Sequence, residues 1–269
     1  MSRRRITALL FAVVMVFAAM PAGAITDGEL DGNGHPQVVL VLMEVDGAPA
    51  FRCSGTLIAS TFVLTAGHCA GAPGEFSGIR VFTESDVDNG NNNYPFAGRN
   101  AIEAVNWAAH PLYPTASFFV HDVGMIQLAK PFKVKEYGTL PAVNSLDDAQ
   151  VGTATTFTSV GYGLQEINPV FIQADRIRMV AYPHLIQKNV PGFTGDFSLL
   201  LSNNHSTGGT CFGDSGGPNF LGDSLVVAGV TSFGLNGNCA GTGGVFRMDR
   251  QNVQDFIADF MAHPYTPTP

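Results

Sequence analysis

Gly213-Asp214-Ser215-Gly216-Gly217-Pro218 sets one serine among glycines. Two shorter stretches precede it, Leu64-Thr65-Ala66-Gly67-His68-Cys69 and His121-Asp122-Val123-Gly124-Met125-Ile126-Gln127-Leu128. A serine hydroxyl is a feeble nucleophile at its own pKa. It needs an imidazole to take its proton, and the imidazole needs a carboxylate to fix its tautomer and stabilise its cation. The three stretches supply Ser215, His68 and Asp122 in the order His, Asp, Ser. Glycines around the serine let the backbone turn tightly and aim successive N–H groups, those of Gly213 and Ser215, at the spot where an oxyanion would form. The α/β-hydrolase arrangement is excluded by order, because its His comes last.

Working outward, each stretch adjoins a short β-branched or aromatic run, and the rest of the chain beyond residue 30 keeps that rhythm, with Gly, Pro, Asn and Asp clusters between the runs. The pattern predicts an all-β fold. Candidate strands are Gln37–Glu44, Ser54–Ile58, Phe62–Thr65, Ile79–Thr83, Val123–Leu128, Thr153–Gly161, Leu225–Phe233 and Gly244–Arg247. Segment 133–152 mixes charge, Gly and Pro without a clear period and reads as the linker between two halves, with the boundary near residues 140–150. One helix is expected at the end. Asp249 is its candidate cap, and Val253, Phe256, Ile257, Phe260 and Met261 form an apolar stripe that docks on the body. No repeat of solenoid or propeller period is visible.

The three stretches resemble the boxes of the chymotrypsin/trypsin family of serine proteases, and the resemblance runs over roughly residues 25–262. It implies two antiparallel Greek-key β-barrels with a C-terminal α-helix, residues 25–140 carrying His68 and Asp122, a linker at 141–152, and residues 153–262 carrying Ser215. It implies a secreted serine endopeptidase that works through an acyl-enzyme, with His68 as general base, Asp122 orienting it, and Gly213 and Ser215 as oxyanion donors. Four cysteines allow three pairings by counting alone. The resemblance selects Cys53 with Cys69 and Cys211 with Cys239. It also makes Ile25-Thr26-Asp27-Gly28 a mature N-terminus whose freed ammonium pairs with Asp214. The floor of the primary pocket falls by resemblance on Gly209, followed by Thr210, with walls at Ser232, Phe233 and Gly234 and at Gly244. Ser232 would also hydrogen-bond the catalytic Asp. Gly209 carries no charge, so apolar or aromatic residues rather than basic ones are expected before the cleaved bond. Protein or peptide substrates and protein inhibitors are the implied partners, and a monomer is expected.

The N-terminus reads as a secretory signal peptide over residues 1–24: Arg3, Arg4 and Arg5, an apolar run from Ile6 to Met20, then Ala22-Gly23-Ala24. An extracellular or periplasmic protein follows, with Ile25 freed by signal cleavage itself, no membrane span after removal, and a 263–269 tail that frays. The full chain has 14 basic and 22 acidic residues and a charge of −8; losing three arginines and no acid takes it to −11. That balance disfavours nucleic acid. No cofactor or metal is expected. The four cysteines lack C-x-x-C spacing, and His110, His184, His205 and His263 lack metal-type spacing. His121 reads as a neighbour of the site rather than a participant. Residues 84–90 are rich in oxygen ligands, but the Gly falls one position early for an EF-hand and Ala97 occupies the closing Glu position. Asn204-His205-Ser206 is a glycosylation sequon in a host that modifies its exports. Two rival readings are a catalytically silent relative that only binds and an esterase using the same triad.

Overall fold

The computed structural model describes residues 25–113, 120–168, 170–190 and 194–264. The expected signal peptide and the last five residues of the expected tail lie outside them. In chain order the strands are β1 (Glu29–Leu30), β2 (Val38–Val45), β3 (Ala48–Ala59), β4 (Phe62–Thr65), β5 (Gly78–Phe82), β6 (Ala101–Ala109), β7 (Gly124–Leu128), β8 (Gly152–Gly161), β9 (Glu166–Asn168), β10 (Phe171–Gln173), β11 (Met179–Ala181), β12 (His184–Val190), β13 (Gly195–Asn203), β14 (Pro218–Leu221), β15 (Val227–Gly234) and β16 (Gly241–Arg247). The helices are α1 (Gly67–Ala70) and α2 (Gln251–Ala262).

Six antiparallel strands close a first barrel in the order β2-β3-β4-β7-β6-β5. A second six close in the order β8-β12-β13-β16-β15-β14. Counted within each barrel both orders are first, second, third, sixth, fifth, fourth, so one Greek-key path is used twice. Closure leaves few free edges for another chain to pair with. Apolar runs such as Val38–Met43 are buried throughout because one side of the strand faces the barrel interior and the other faces the neighbouring half. One buried apolar cluster joins Val38, Leu64 and Met125 of the first barrel to Val160, Phe220, Val230 and Phe246 of the second.

Several local expectations give way to tertiary contacts. The 25–30 segment belongs with the second half: β1 pairs with β11, Glu29 opposite Val180, and Ile25 is fully buried with Met179 and Ala181. The linker is pinned, not loose. Leu146 enters the second barrel's apolar core, and Asp147 pairs with Arg247 and Arg250 at 2.8 and 3.0 Å. Asp249 does not cap α2, whose N-cap is Arg250 with no side-chain bond. The Asp249 carboxylate is buried and accepts from Nε and Nη2 of the equally buried Arg247 at 2.9 and 2.7 Å, and from the Leu146 N–H at 2.9 Å. A buried guanidinium without that partner costs several kcal/mol, which outweighs the ~1 kcal/mol a cap contributes. The stripe on α2 docks as expected, burying Val253, Ile257 and Phe260. It docks across the first barrel: Phe260 meets Phe62 of β4 edge-on at 6.2 Å and Phe256 meets His110 at 5.3 Å.

Candidate active site

His68 and Asp122 meet because their strands pair. β4 and β7 are antiparallel with Thr65 opposite Gly124, so the end of one lies beside the start of the other. His68 follows β4 on the single turn of α1, and Asp122 stands two residues ahead of β7. The Nδ1 of His68 is 3.1 and 3.0 Å from Oδ1 and Oδ2 of Asp122, and the His68 backbone N–H donates to Oδ1 at 2.9 Å. Asp122 is fully buried. Its Oδ2 also accepts from the Ser232 hydroxyl at 2.5 Å, so a group from β15 in the second barrel completes its shell. Burial opposes charge on His68, but the Asp122 carboxylate and its hydrogen bond, with Glu75 adding a smaller attraction, win and raise its pKa above the usual 6.5.

Ser215 lies between β13 and β14, on a loop held from both barrels. From the first, the Ser54 N–H donates to the Ser215 carbonyl at 2.8 Å and the Ser54 hydroxyl to the Gly213 carbonyl at 2.9 Å. From the second, Gly216 N–H donates to Thr231 O and Thr231 N–H to Gly217 O at 2.8 and 2.9 Å. Two glycines are required here. Gly213 has φ +99°, and a Cβ on Gly216 would fall 2.0 Å from the Thr65 hydroxyl and 2.6 Å from the Ser54 carbonyl. The Gly213 and Ser215 N–H groups share peptide planes with the Phe212 and Asp214 carbonyls, which accept from Leu164 N–H at 2.9 Å and Gly217 N–H at 2.8 Å; both planes are thereby fixed, and among the described residues the two N–H groups have no acceptor.

Asp214 points the other way, into the protein. Its Oδ1 accepts from Gly163 N–H and Oδ2 from Cys211 N–H, both at 2.8 Å. Burial pushes its pKa up to about 7, against the pull of those two donors and the Arg52 charge. Side chains at residues 161 and 163 would collide with this carboxylate, so Gly161-Tyr162-Gly163, a run that sequence reading passed over, is what makes room for it. Among the described residues no ammonium pairs with Asp214.

The two disulfides are Cys53–Cys69 and Cys211–Cys239, as the resemblance implied, with Cα–Cα distances of 6.1 and 5.3 Å. The first ties the segment after His68 to β3. The second forms part of a cavity of about 320 Å3 that holds His68 and Ser215 together with Thr210, Ser232, Phe233 and Gly234. Phe212, Thr231, Asn236 and Thr242 line it too, and sequence reading missed them. Gly209 and Gly244 lie outside this lining. The Thr26 carbonyl receives the Gly209 N–H at 3.0 Å, and a Cβ at 209 would fall 2.2 Å from Cγ of Asn203. The space beside Gly244 is taken by the Phe233 ring, 2.3 Å from where a Cβ would stand. Where Gly244 was expected as a wall of the pocket, the Phe233 ring stands instead. His121 stacks on His110 at 4.9 Å and does not line the cavity.

A cluster of Cys53, His68 and Cys69 has donor atoms within metal-site distances, but both sulfurs are spent in the disulfide. In the 84–90 segment the carboxylates are occupied. Glu84 accepts from Asn91, Asn92 and Asn100, Asp86 from Asn89, and Asp88 from the Arg176 N–H. Asn204 of the sequon is exposed, bridged to Gly208 across the turn at 205–207. No helix among the described residues is long and apolar enough to cross a membrane.

The model of the Trypsin family matches residues 30–257. Brachyurin of Leptuca pugilator is 30% identical over 195 residues, 70% of this chain and 78% of that protein. Chymase of Papio hamadryas is 26% identical over 79% of this chain and 82% of its own length. The chain spans only 22% of the serine protease Hayan of Drosophila melanogaster, at 28% identity over 53% of this chain. Among solved structures, HL collagenase superposes with a TM-score of 0.70 at 20% identity, covering 90% of this chain and all 100% of that one. Human heparin binding protein gives 0.66 at 20% identity, over 91% and 100%. With two like-ordered barrels, both disulfides and these matches together, the chain belongs to the trypsin family of serine proteases.

Proposed function

We propose that the protein is an active, secreted endopeptidase with Ser215 as nucleophile, His68 as general base and Asp122 as the group that orients it. The observation that carries this reading is the double use of Asp122, which grips His68 Nδ1 on one side and Ser232 on the other while His68 and Ser215 share one cavity. With Nδ1–H held by the carboxylate, Nε2 is the ring nitrogen that takes the proton. Attack of Ser215 Oγ on a peptide carbonyl passes the hydroxyl proton to His68, and the oxyanion is received by the Gly213 and Ser215 N–H groups. His68 then protonates the leaving amine. Water repeats the cycle on the acyl-enzyme, giving back free Ser215 and the acid.

His68 must be neutral to act. Its raised pKa implies that kcat/KM falls as pH drops through a midpoint above 6.5, not at it; a profile of kcat/KM against pH checks this, and activity flat down to pH 4 would contradict the mechanism.

Specificity follows the cavity, whose lining has no charged side chain apart from what His68 acquires. Phe233, Phe212 and the disulfide offer apolar surface, which favours uncharged apolar or aromatic side chains before the cleaved bond. Cleavage of a mixed peptide library, read by mass spectrometry, is expected to give cuts after Phe, Tyr or Leu. Cuts after Lys or Arg would overturn the preference, and no cuts by the processed, disulfide-bonded protein would overturn the peptidase reading.

Ile25 is proposed as the activating residue. An Asp214 carboxyl held at about 7 is partly protonated near neutrality, and an α-ammonium freed at Ile25 would supply the missing counter-charge and hold the Ser215 loop. The secreted form is expected to start at Ile25, and a form extended by even one residue is expected to be nearly inactive. Intact-mass measurement beside an activity assay checks both, and an active form with a longer N-terminus would refute the role.

A further inference from the structure

Beside the Gly213 loop, Arg52 and Arg176 converge in a separate cavity of about 610 Å3, which they line with Phe51, Leu42, Tyr94 and Pro95. The two arginines come from different halves of the molecule, Arg52 from the exposed outer part of β3 and Arg176 from the segment between β10 and β11. Both donate from Nη1 to one carbonyl, that of Ala174, at 3.2 and 3.5 Å. Like charges gathered at one point repel, and a chain with 22 acids has many other ways to place its 14 bases.

Compensation is incomplete. Arg176 lies over the Tyr94 ring, 5.4 Å from its centroid, and has one carboxylate, Asp88, at 3.5 Å. Its Nε is buried and has no hydrogen-bond partner among the described residues. Arg52 pairs with no carboxylate among the described residues; the acid that feels its charge is the buried Asp214. No acidic side chain lines the cavity. Two guanidiniums against Asp88 leave a net positive pocket with spare N–H groups, the arrangement that suits a carboxylate.

Position gives the pocket its use. Arg52 precedes Cys53 and Ser54, and Ser54 grips the Ser215 and Gly213 carbonyls; Nε of Arg52 is 3.3 Å from where a Cβ on Gly213 would stand. On the peptidase reading, a leaving group that departs past the Gly213 loop meets Arg52. We propose that Arg52 and Arg176 form a subsite for a substrate carboxylate on the leaving-group side, so that the protein favours peptides with Asp or Glu a few residues beyond the scissile bond. The proposal rests on the peptidase reading.

The test is a peptide series identical up to the scissile bond, with Asp, Gln or Lys placed in turn at the second, third and fourth residues beyond it. Within each protein form the readout is the ratio of kcat/KM for the Asp and Gln peptides, so a general loss of activity cancels. The wild type is expected to prefer Asp at one position by about fivefold, to disfavour Lys there, and to lose much of the preference in high salt. Arg176→Gln and Arg52→Gln should bring the ratio near one, and Arg176→Lys should restore part of it. Because Arg52 abuts the Gly213 loop, Arg176→Gln carries the test if Arg52→Gln does not fold. Indifference of the wild type at all three positions, or an unchanged ratio in Arg176→Gln, would overturn the subsite. A small ester with the same acyl group and no leaving peptide separates the two claims. If the wild type does not turn it over, the failure lies with the triad; if it does and the ratio stays at one, the failure lies with this subsite.

Discussion

Ser215→Ala is expected to lower kcat on any peptide substrate by about 10^4- to 10^6-fold while leaving the fold and the binding of product-like peptides intact. The size follows from what alanine removes, which is the only atom that can form the acyl bond. What remains is a bound water attacking an oriented carbonyl, with the Gly213 and Ser215 N–H groups still in place because both belong to the backbone. Fold retention is expected because, among the described residues, no hydrogen bond holding the loop uses the Ser215 hydroxyl. The bonds through Ser54, Thr231 and Gly217 are made by main-chain atoms or by other side chains. Single-turnover assays beside a thermal melt check both halves. A variant with more than a few per cent of wild-type turnover would remove Ser215 from the mechanism.

Asp122→Asn should cost about 10^4-fold in kcat at neutral pH. Two contacts decide the outcome. Ser232 donates its hydroxyl to one oxygen of Asp122, and the His68 backbone N–H donates to the other. An amide in that position keeps one acceptor but turns an N–H toward either Ser232 or the imidazole. Where it meets Nδ1 it demands the tautomer with its proton on Nε2, and that nitrogen can then no longer accept from Ser215. The carboxylate that raises the His68 pKa is also gone, so the residual activity should show its acid limb at lower pH than the wild type. A pH profile of the variant reads both effects, and a profile unchanged in height or midpoint would contradict the role given to Asp122.

The parts of this protein that were legible in its sequence are those set by local chemistry. His68, Asp122 and Ser215 stand in short runs that the fold brings together, and Phe62–Thr65 and Thr153–Gly161 carry enough β-branched residues to be read as strands within one residue of their observed bounds. β6 was missed because its pairing with β7 shifts register between Ala104 and Asn106, so its apolar positions do not alternate cleanly. β12 was missed for the same reason, with breaks at Leu185/Gln187 and Lys188/Val190 against β13. Asp249 obeyed the capping rule locally and broke it because Arg247, two residues earlier, is fully buried and needed the carboxylate more. The cavity walls were hardest. What Gly209 and Gly244 do depends on Asn203 and Phe233, which reach them across strands, and Arg52 meets Arg176 only through a fold that brings two distant segments to one carbonyl.

The central claim is that Ser215 is a hydroxyl activated by His68. The most direct measurement is treatment of the mature protein with a small phosphonofluoridate at neutral pH, followed by intact-mass and peptide mass spectrometry. The account predicts rapid, stoichiometric modification of Ser215 alone, with fluoride released, and a rate that drops by orders of magnitude in His68→Ala. A correctly processed wild type that remains unmodified, or one modified at the same rate with and without His68, would contradict it.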